Sequence, residues 1–237
     1  MQKYSHIFFD IDNTLWDFEK NSRLAMQTAF NRLIANSEVP FDTFFTAYSK
    51  HNKLLWENYR NRQITKKELT LKRFELTFEE LSIQQADSLK MNECYLAEIP
   101  EQKHLNDGVV ELLEYLKQKR YHLSIITNGF REVQAQKLET SGISGFFSSI
   151  FISENVKIPK PGKEIFETAV KSTNAKKSKS IMIGDDWETD ILGAYHYGID
   201  SIYYRPDCYG KALPEIEKKG KNIIHSVQNF DEIKKIL

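Results

Sequence analysis

The sequence predicts an α/β fold: a mostly parallel sheet with helices on both faces, interrupted after its first strand by an all-helical insert. Three observations carry this. Short apolar runs ending in polar residues alternate with amphipathic segments beyond residue 108, the pattern of parallel strands joined through helices. One more apolar run stands alone at the N-terminus. Between the two lies a long stretch without glycine whose apolar spacing is helical.

The elements follow in order. Tyr4 to Ile11 is apolar and turns acidic at its end, as a buried strand does when its C-terminus carries polar residues. From about Asn21 to Leu96 the texture is helical. Phe41, Phe44, Phe45 and Tyr48 recur at three- and four-residue steps, and so do Leu71, Phe74, Phe78 and Leu81, which predicts helix-bundle core. After Pro100, Asn106 or Asp107 is expected to cap a helix whose stripe is Val109, Leu112, Leu113 and Leu116. His122 to Thr127 is a strand ending in Asn128-Gly129, and Ser149 to Ser153 is another. Pro161 is expected at the first position of a helix. Ser180 to Ile183 is a strand ending in Gly184-Asp185-Asp186; Ile191 to Tyr197 is helical and stops at Gly198; Ile202 to Tyr204 is a further strand. The expected domains are residues 1–16 with 106–237 for the α/β part and 17–105 for the helical insert. The insert leaves just after a strand end, the edge where open α/β sheets bind ligands. It therefore reads as a lid, with hinges near Trp16–Lys20 and Pro100–Asn106, that excludes water when closed.

Composition narrows the partners. The chain has 237 residues, enough to bury a core without a disulfide or metal staple. Lys+Arg 33 balances Asp+Glu 33. A protein that coats nucleic-acid polymer or an anionic membrane wants a basic surface, so neither is expected as a partner. A small anionic substrate needs only a local site. Cys94 and Cys208 form no metal or redox spacing, and the N-terminal apolar run is too short for a signal peptide or a membrane span. A reducing, cytoplasmic location is expected.

Four polar groups follow strand-like runs: Asp10-Ile11-Asp12-Asn13-Thr14, Thr127-Asn128-Gly129, Lys160, and Gly184-Asp185-Asp186 through Asp190. Parallel strands would gather them at one sheet edge. Crowded carboxylates repel one another unless a cation intervenes. Oxygen-only donors suit Mg2+, and no His/Cys cluster points to zinc. A bound Mg2+, a lysine and turn amides together stabilise a transferring phosphoryl group. One aspartate facing phosphorus attacks it and forms an aspartyl-phosphate. A second aspartate two residues on lies on the same side of an extended strand. It can protonate the leaving alcohol and later deprotonate water. Singly, each group has a blander meaning: a solvated turn, a surface lysine, acids at a helix N-terminus. Their order, each after its own strand, carries the argument.

These residues resemble the four motifs of the haloacid dehalogenase (HAD) hydrolase superfamily. FFDIDNTL is similar to motif I, IITNG to motif II, the lysine of IPKPGKEIF to motif III, and GDDWETD to motif IV. The resemblance spans nearly the whole chain and implies a Rossmann-like, doubly wound core with a C1-type cap. It implies Asp10 as nucleophile and Mg2+ ligand, and Asp12 as general acid/base whose backbone carbonyl is a second ligand. Thr127 and Asn128, with Asn13, would hold the phosphoryl group, and Lys160 would steady its charge and that of Asp10. Asp185 would bind Mg2+ directly. Asp190 would act through water or Lys160 and not touch the metal directly, and Asp186 would stand beside it at a position that varies in the family.

LWENYRNRQIT, ITNGF, ISENVKIPKPGKEIF and GDDWETDILGA are together similar to the noncanonical pyrimidine nucleotide 5'-nucleotidases. That likeness implies removal of the 5'-phosphate from pyrimidine nucleoside monophosphates. Trp56, Tyr59, Arg60 and Arg62 are then the candidates to stack on and hydrogen-bond the base, although Trp56 and Tyr59 are three apart and equally suit cap packing. Trp16 lines the pocket or packs the hinge. The alternatives keep the fold: a sugar-phosphate phosphatase, or a phosphohexomutase that returns the phosphoryl group to its substrate. Asp12 and Asp185 argue against haloacid dehalogenation. Phosphonate hydrolysis would need a cap lysine such as Lys53, Lys66 or Lys67. A non-catalytic binding protein would have no need of both Asp10 and Asp12.

Overall fold

His6–Phe9 forms strand β1, Ser180–Gly184 forms β4, and His122–Thr127 forms β2. All three read as continuous apolar runs because both faces of a parallel sheet are covered. In the computed structural model, which describes residues 2–84, 86–206 and 222–237, β3 (Ser149–Ile152), β5 (Asp200–Tyr204) and β6 (Ile224–Val227) complete the sheet. Every pairing is parallel and the order is β3-β2-β1-β4-β5-β6. The chain moves outward from β1 to β3, then returns to lay β4 against the other side of β1. The order thus reverses at β1, the place where doubly wound sheets leave a crevice beyond the strand ends. Phe9 is level with Ile125 of β2 and Ile183 of β4. The residues after these three strands therefore emerge side by side.

Two units partition the chain by contacts: Met1–Phe18 with Lys103–Leu237, and Glu19–Gln102. In the first, Phe8, Ile126 and Met182 pack against Phe166 of α8 (Lys163–Ser172) and Tyr197 of α9 (Gly193–Tyr197). The rings of Phe166 and Tyr197 stack 6.1 Å apart. The second unit comprises most of α1 (Phe18–Leu33), with α2 (Phe41–Arg60), α3 (Lys66–Glu80) and α4 (Ser88–Glu98). Phe44 is its centre, 5.2 Å from the ring of Phe30 and 6.1 Å from that of Phe78.

Several expectations need correction. Phe74 and Phe78 are buried as predicted, but Leu71 and Leu81 are only half-buried. The buried face of α3 is rotated toward Leu69 and Arg73, because Arg73 lies against the Tyr48 and Tyr95 rings. Neither Asn106 nor Asp107 caps α5 (Val109–Gln118); Gly108 stands there. The Asn106 amide instead donates to the Asn13 and Thr14 carbonyls at 3.0 and 2.8 Å. Pro161 precedes α8 by two residues, with Gly162 at its N-cap. Strand β3 ends at Ile152, and Ser153 opens the short helix α7 (Ser153–Val156). The segment after β4 begins as a wide π-helical turn, Trp187–Leu192, before α9. That helix does stop at Gly198, whose φ is +98°. Strand β6 and the terminal helix α10 (Phe230–Ile236) were not predicted. Cys94 is a half-buried free thiol, and Cys208 lies outside the described residues. No helix among the described residues is long and apolar enough to cross a membrane.

Candidate active site

The site grows from the aligned ends of β2, β1 and β4. Asp10 follows β1 and stays in the ladder, its amide donating to Ile183 O at 2.9 Å. Asp185 follows Gly184, the last residue of β4, and accepts from the Thr14 hydroxyl at 2.8 Å. Asp190 is reached through the π-helical turn, in which Ile191 N donates back to Asp186 O. That turn carries Asp190 over Gly184, where a Cβ would stand 2.2 Å from Asp190 Oδ2. Carboxylate oxygens of Asp10, Asp185 and Asp190 lie within 4.8 Å of one another.

Lys160 comes from the loop before α8 and is 2% exposed. Asn128 sets its backbone: the side-chain amide donates to Lys160 O at 3.0 Å, and Lys160 N donates to Asn128 Oδ1 at 2.8 Å. The ammonium then donates to Asp10 Oδ1 and Asp190 Oδ1, each at 2.6 Å, and to Ile126 O at 2.8 Å. Its three donors are thereby all engaged. Asp186 caps the following turn, accepting from Thr189 N, while its own amide donates to Asp190 Oδ2.

Burial and crowding set the charge states. Burial pushes Asp10 up to about 7, with Lys160 opposing and Asp190 and Asp12 adding to the rise. Burial likewise pushes Asp185 up to about 8, helped by the charges on Asp10 and Asp190 and opposed by the Thr14 hydroxyl. Asp190 is raised by burial despite Lys160. For Lys160, burial works against the ammonium, but the charges on Asp10 and Asp190 outweigh it and hold the group above its ordinary value. Three carboxylates crowd beside one lysine that pairs with two of them, Asp10 and Asp190, and all the donors are oxygen. This set fits a hard divalent cation, which would return the carboxylates to their ionised form.

Asp12 points elsewhere. Its Oδ1 accepts from Lys137 Nζ at 2.7 Å and its Oδ2 from Gln134 Nε2 at 3.1 Å. Both partners sit on α6 (Arg131–Thr140), which follows β2. Gln134 Nε2 also donates to Thr127 Oγ1 at 2.7 Å, and Thr127 Oγ1 accepts from Gly129 N as well. Asn13 turns the chain with φ +62°, its amide donating to Trp16 O. Trp16 is wholly buried, with Lys137 Nζ 4.3 Å from its ring centroid. It packs against Lys137.

Asp10, Asp12, Asn13, Thr127, Asn128, Lys160, Asp185, Asp186 and Asp190 thus gather at one sheet edge. Trp56, Tyr59, Arg60 and Arg62 belong to the helical unit, at the end of α2 and just beyond. The Trp56 and Tyr59 rings meet edge to face at 5.7 Å, and Arg62 is exposed. Sequence reasoning missed Gln134, Lys137 and the bond made by Thr14. The first two carried a signal: Val133, Gln134, Lys137 and Leu138 form one buried helical stripe, in which two long polar side chains replace apolar ones.

A model of the haloacid dehalogenase-like hydrolases matches residues 4–198. The chain is 32% identical to the pyrimidine 5'-nucleotidase YjjG of Escherichia coli, over 99% of this chain and 98% of that one. It is 31% identical to the pyrimidine 5'-nucleotidase PynA of Streptococcus pneumoniae, over 86% and 84%. The crystal structure of the HAD-hydrolase YfnB from Bacillus subtilis, bound to magnesium, superimposes with a TM-score of 0.85 at 28% identity, covering 100% of this chain and 99% of that one. A family match across most of the chain, and relatives at least 31% identical over 86% or more of it, place this protein among the haloacid dehalogenase-like hydrolases.

Proposed function

We propose that the chain is a Mg2+-dependent phosphomonoesterase that removes the 5'-phosphate from pyrimidine nucleoside monophosphates. The observation that carries the chemistry is the buried Lys160, shared at 2.6 Å between Asp10 and Asp190 beside Asp185. A carboxylate at a sheet edge, with a fixed ammonium against it, is a nucleophile whose surroundings also neutralise incoming phosphoryl charge. The names of YjjG and PynA, and similarity over 99% and 86% of this chain, support the pyrimidine nucleotide as substrate.

Asp10 attacks phosphorus, and the phosphorus–oxygen bond to the nucleoside breaks as the Asp10–phosphorus bond forms. Asp12 gives its proton to the departing oxygen. Water then attacks the aspartyl-phosphate, Asp12 takes a proton from that water, and inorganic phosphate leaves with Asp10 restored. Thr127, Asn128 and Asn13 orient the phosphoryl oxygens, and Lys160 balances the charge. Asp10 and Asp185, with the Asp12 backbone carbonyl, would hold Mg2+, which neutralises the carboxylates and the phosphoryl oxygens when bound. Asp186 and Asp190 steady that set through the turn and Lys160. Residues Trp56, Tyr59, Arg60 and Arg62 of the helical unit are our choice for base recognition, and Trp56→Ala should raise KM for a nucleotide more than it lowers kcat.

The test is phosphate release across nucleoside monophosphates and sugar phosphates, with Mg2+ and with chelator. Turnover should favour UMP, dUMP and dTMP, require the metal, and vanish in Asp10→Asn. Release that survives chelation, or an active Asp10→Asn variant, overturns the phosphatase mechanism. A preference for sugar phosphates keeps the mechanism and overturns the nucleotide assignment.

A further inference from the structure

We infer that Lys137 and Gln134 are positioning residues that fix the carboxylate of the acid/base Asp12. The inference rests on the phosphatase reading above. Helix α6 holds both oxygens of Asp12, Oδ1 through Lys137 Nζ at 2.7 Å and Oδ2 through Gln134 Nε2 at 3.1 Å. Each oxygen keeps a further lone pair free to exchange a proton with substrate or water. Without these partners the carboxylate, on a turn beyond the last residue of β1, would rotate about its side-chain bonds.

Independent features show that the clamp is built. Lys137 is 3% exposed and Gln134 is 0% exposed, although both are polar and sit on a helix whose other face is solvated. Burying an ammonium is costly unless it is paired; here Asp12 pairs it and the Trp16 ring lies 4.3 Å away. The turn after β2 makes room for the amide: a Cβ on Gly129 would stand 2.0 Å from Gln134 Nε2. The same Nε2 donates to Thr127 Oγ1 at 2.7 Å. One amide therefore ties the acid/base group to the hydroxyl that faces the phosphoryl oxygens. Turning that amide over would aim its oxygen at the Asp12 carboxylate, so the donor assignment is fixed by charge.

A positioning role has a signature that a merely structural one lacks. Expulsion of a nucleoside alkoxide needs a proton from Asp12, whereas 4-nitrophenolate leaves without one. The quantity kcat/KM reports the steps through formation of the aspartyl-phosphate, so the two leaving groups separate the roles. Lys137→Met keeps the apolar stem and removes the donor. A misplacement of about 1 Å can cost about 10²-fold, and Lys137→Met should lower kcat/KM for the nucleoside monophosphate by about that much. The loss with 4-nitrophenyl phosphate should be far smaller. Lys137→Arg should recover most of the nucleotide activity, and Gln134→Leu should repeat the pattern more weakly. In an Asp12→Asn background, Lys137→Met should add little, because the group it positions has lost its role. Equal losses on both substrates, or an undiminished cost in the Asp12→Asn background, would overturn the inference. Gln134→Leu makes the same comparison should Lys137→Met fail to fold. A wild-type protein that turns over neither substrate sinks the phosphatase reading itself, which is a different outcome.

Discussion

Lys160 and Arg73 are buried alike, one in each unit, at 2% exposure, and they are held in opposite ways, Arg73 with its Nε left without a hydrogen-bond partner among the described residues. Lys160 meets two carboxylates and one carbonyl. Arg73 meets neutral oxygens: Asn92 Oδ1 at 2.7 Å, Asn52 Oδ1 at 3.2 Å and the Tyr48 hydroxyl at 3.3 Å. Around Arg73 stand the rings of Phe74, Tyr95 and Tyr48, their centroids 5.1, 5.1 and 5.9 Å from the guanidinium. No carboxylate is bonded to Arg73 among the described residues. A cation held by formal charges responds when those charges change, by protonation, by metal or by phosphorylation. A cation held by dipoles and ring faces does not. The first arrangement suits chemistry, and the second suits a brace.

The largest test of that contrast is Lys160→Met. Losing one preorganised charge donor at a phosphoryl site costs about 10²–10³-fold in kcat. It also strands Asp10 and Asp190, and stranding buried partners costs about 3–5 kcal/mol. That stability loss should be smaller at low pH, where both carboxylates are protonated. Arg73→Met should behave differently. It leaves buried amide and hydroxyl oxygens short of donors, which costs about 1–3 kcal/mol, by the same amount at either pH and with little change in kcat. Chemical denaturation and steady-state rates on both variants check this. A folded Arg73→Met protein without turnover would break the comparison and move Arg73 into the catalytic account.

A smaller effect follows from the raised carboxylates. Asp10 and Asp185 titrate at about 7 and about 8 in the folded chain, against an ordinary 3.8. Between those limits the folded state binds more protons than the unfolded one, so stability falls as pH rises. In chelator, the melting temperature should drop from about pH 6 to about pH 8. Mg2+ should reverse the drop, and should stabilise more at the higher pH, because it binds ionised carboxylates. A metal-free melting temperature that is flat or rises across that window would show that the three acids do not crowd as described.

The same contrast explains what was legible in the sequence. Residues at strand ends announce themselves, because an apolar run stops at them; Asp10, Thr127 and Asp185 were found that way. Lys160 was grouped with them as following the run Ser149 to Ser153, although the short helix α7 stands between β3 and the lysine. Lys137, Gln134 and Arg73 lie mid-helix, where a long polar side chain is ordinarily solvated; the first two share a helical stripe with Val133 and Leu138, while only the surrounding fold shows Arg73 buried. Strand β6 was missed because Ile224-His225-Ser226-Val227 sits at the sheet edge, pairs on one side only, and has no strong apolar pattern. The π-helical turn escaped because its spacing, with Ile191 N donating to Asp186 O, has no residue pattern that sets it apart from an α-helix.

The smallest effect probes whether Arg73 or local helix chemistry sets the stability of the helical unit. Helix α3 carries both. At its start Thr65 Oγ1 accepts from Glu68 N at 3.2 Å, while Glu68 Oε2 accepts from Thr65 N at 2.8 Å, a reciprocal capping box. Thr65→Ala removes the first bond and should cost about 1 kcal/mol. The Thr65 amide, then its hydroxyl, hold the Glu68 carboxylate below its ordinary value. Glu68 therefore contributes stability above the carboxylate range and loses it as pH falls through its lowered folded value. The difference between Thr65→Ala and wild type should narrow in acid, while the Arg73→Met difference should not. If Thr65→Ala costs as much as Arg73→Met at neutral pH, the dipole-held cation contributes little beyond the cap, and the brace is the helix start rather than the buried guanidinium.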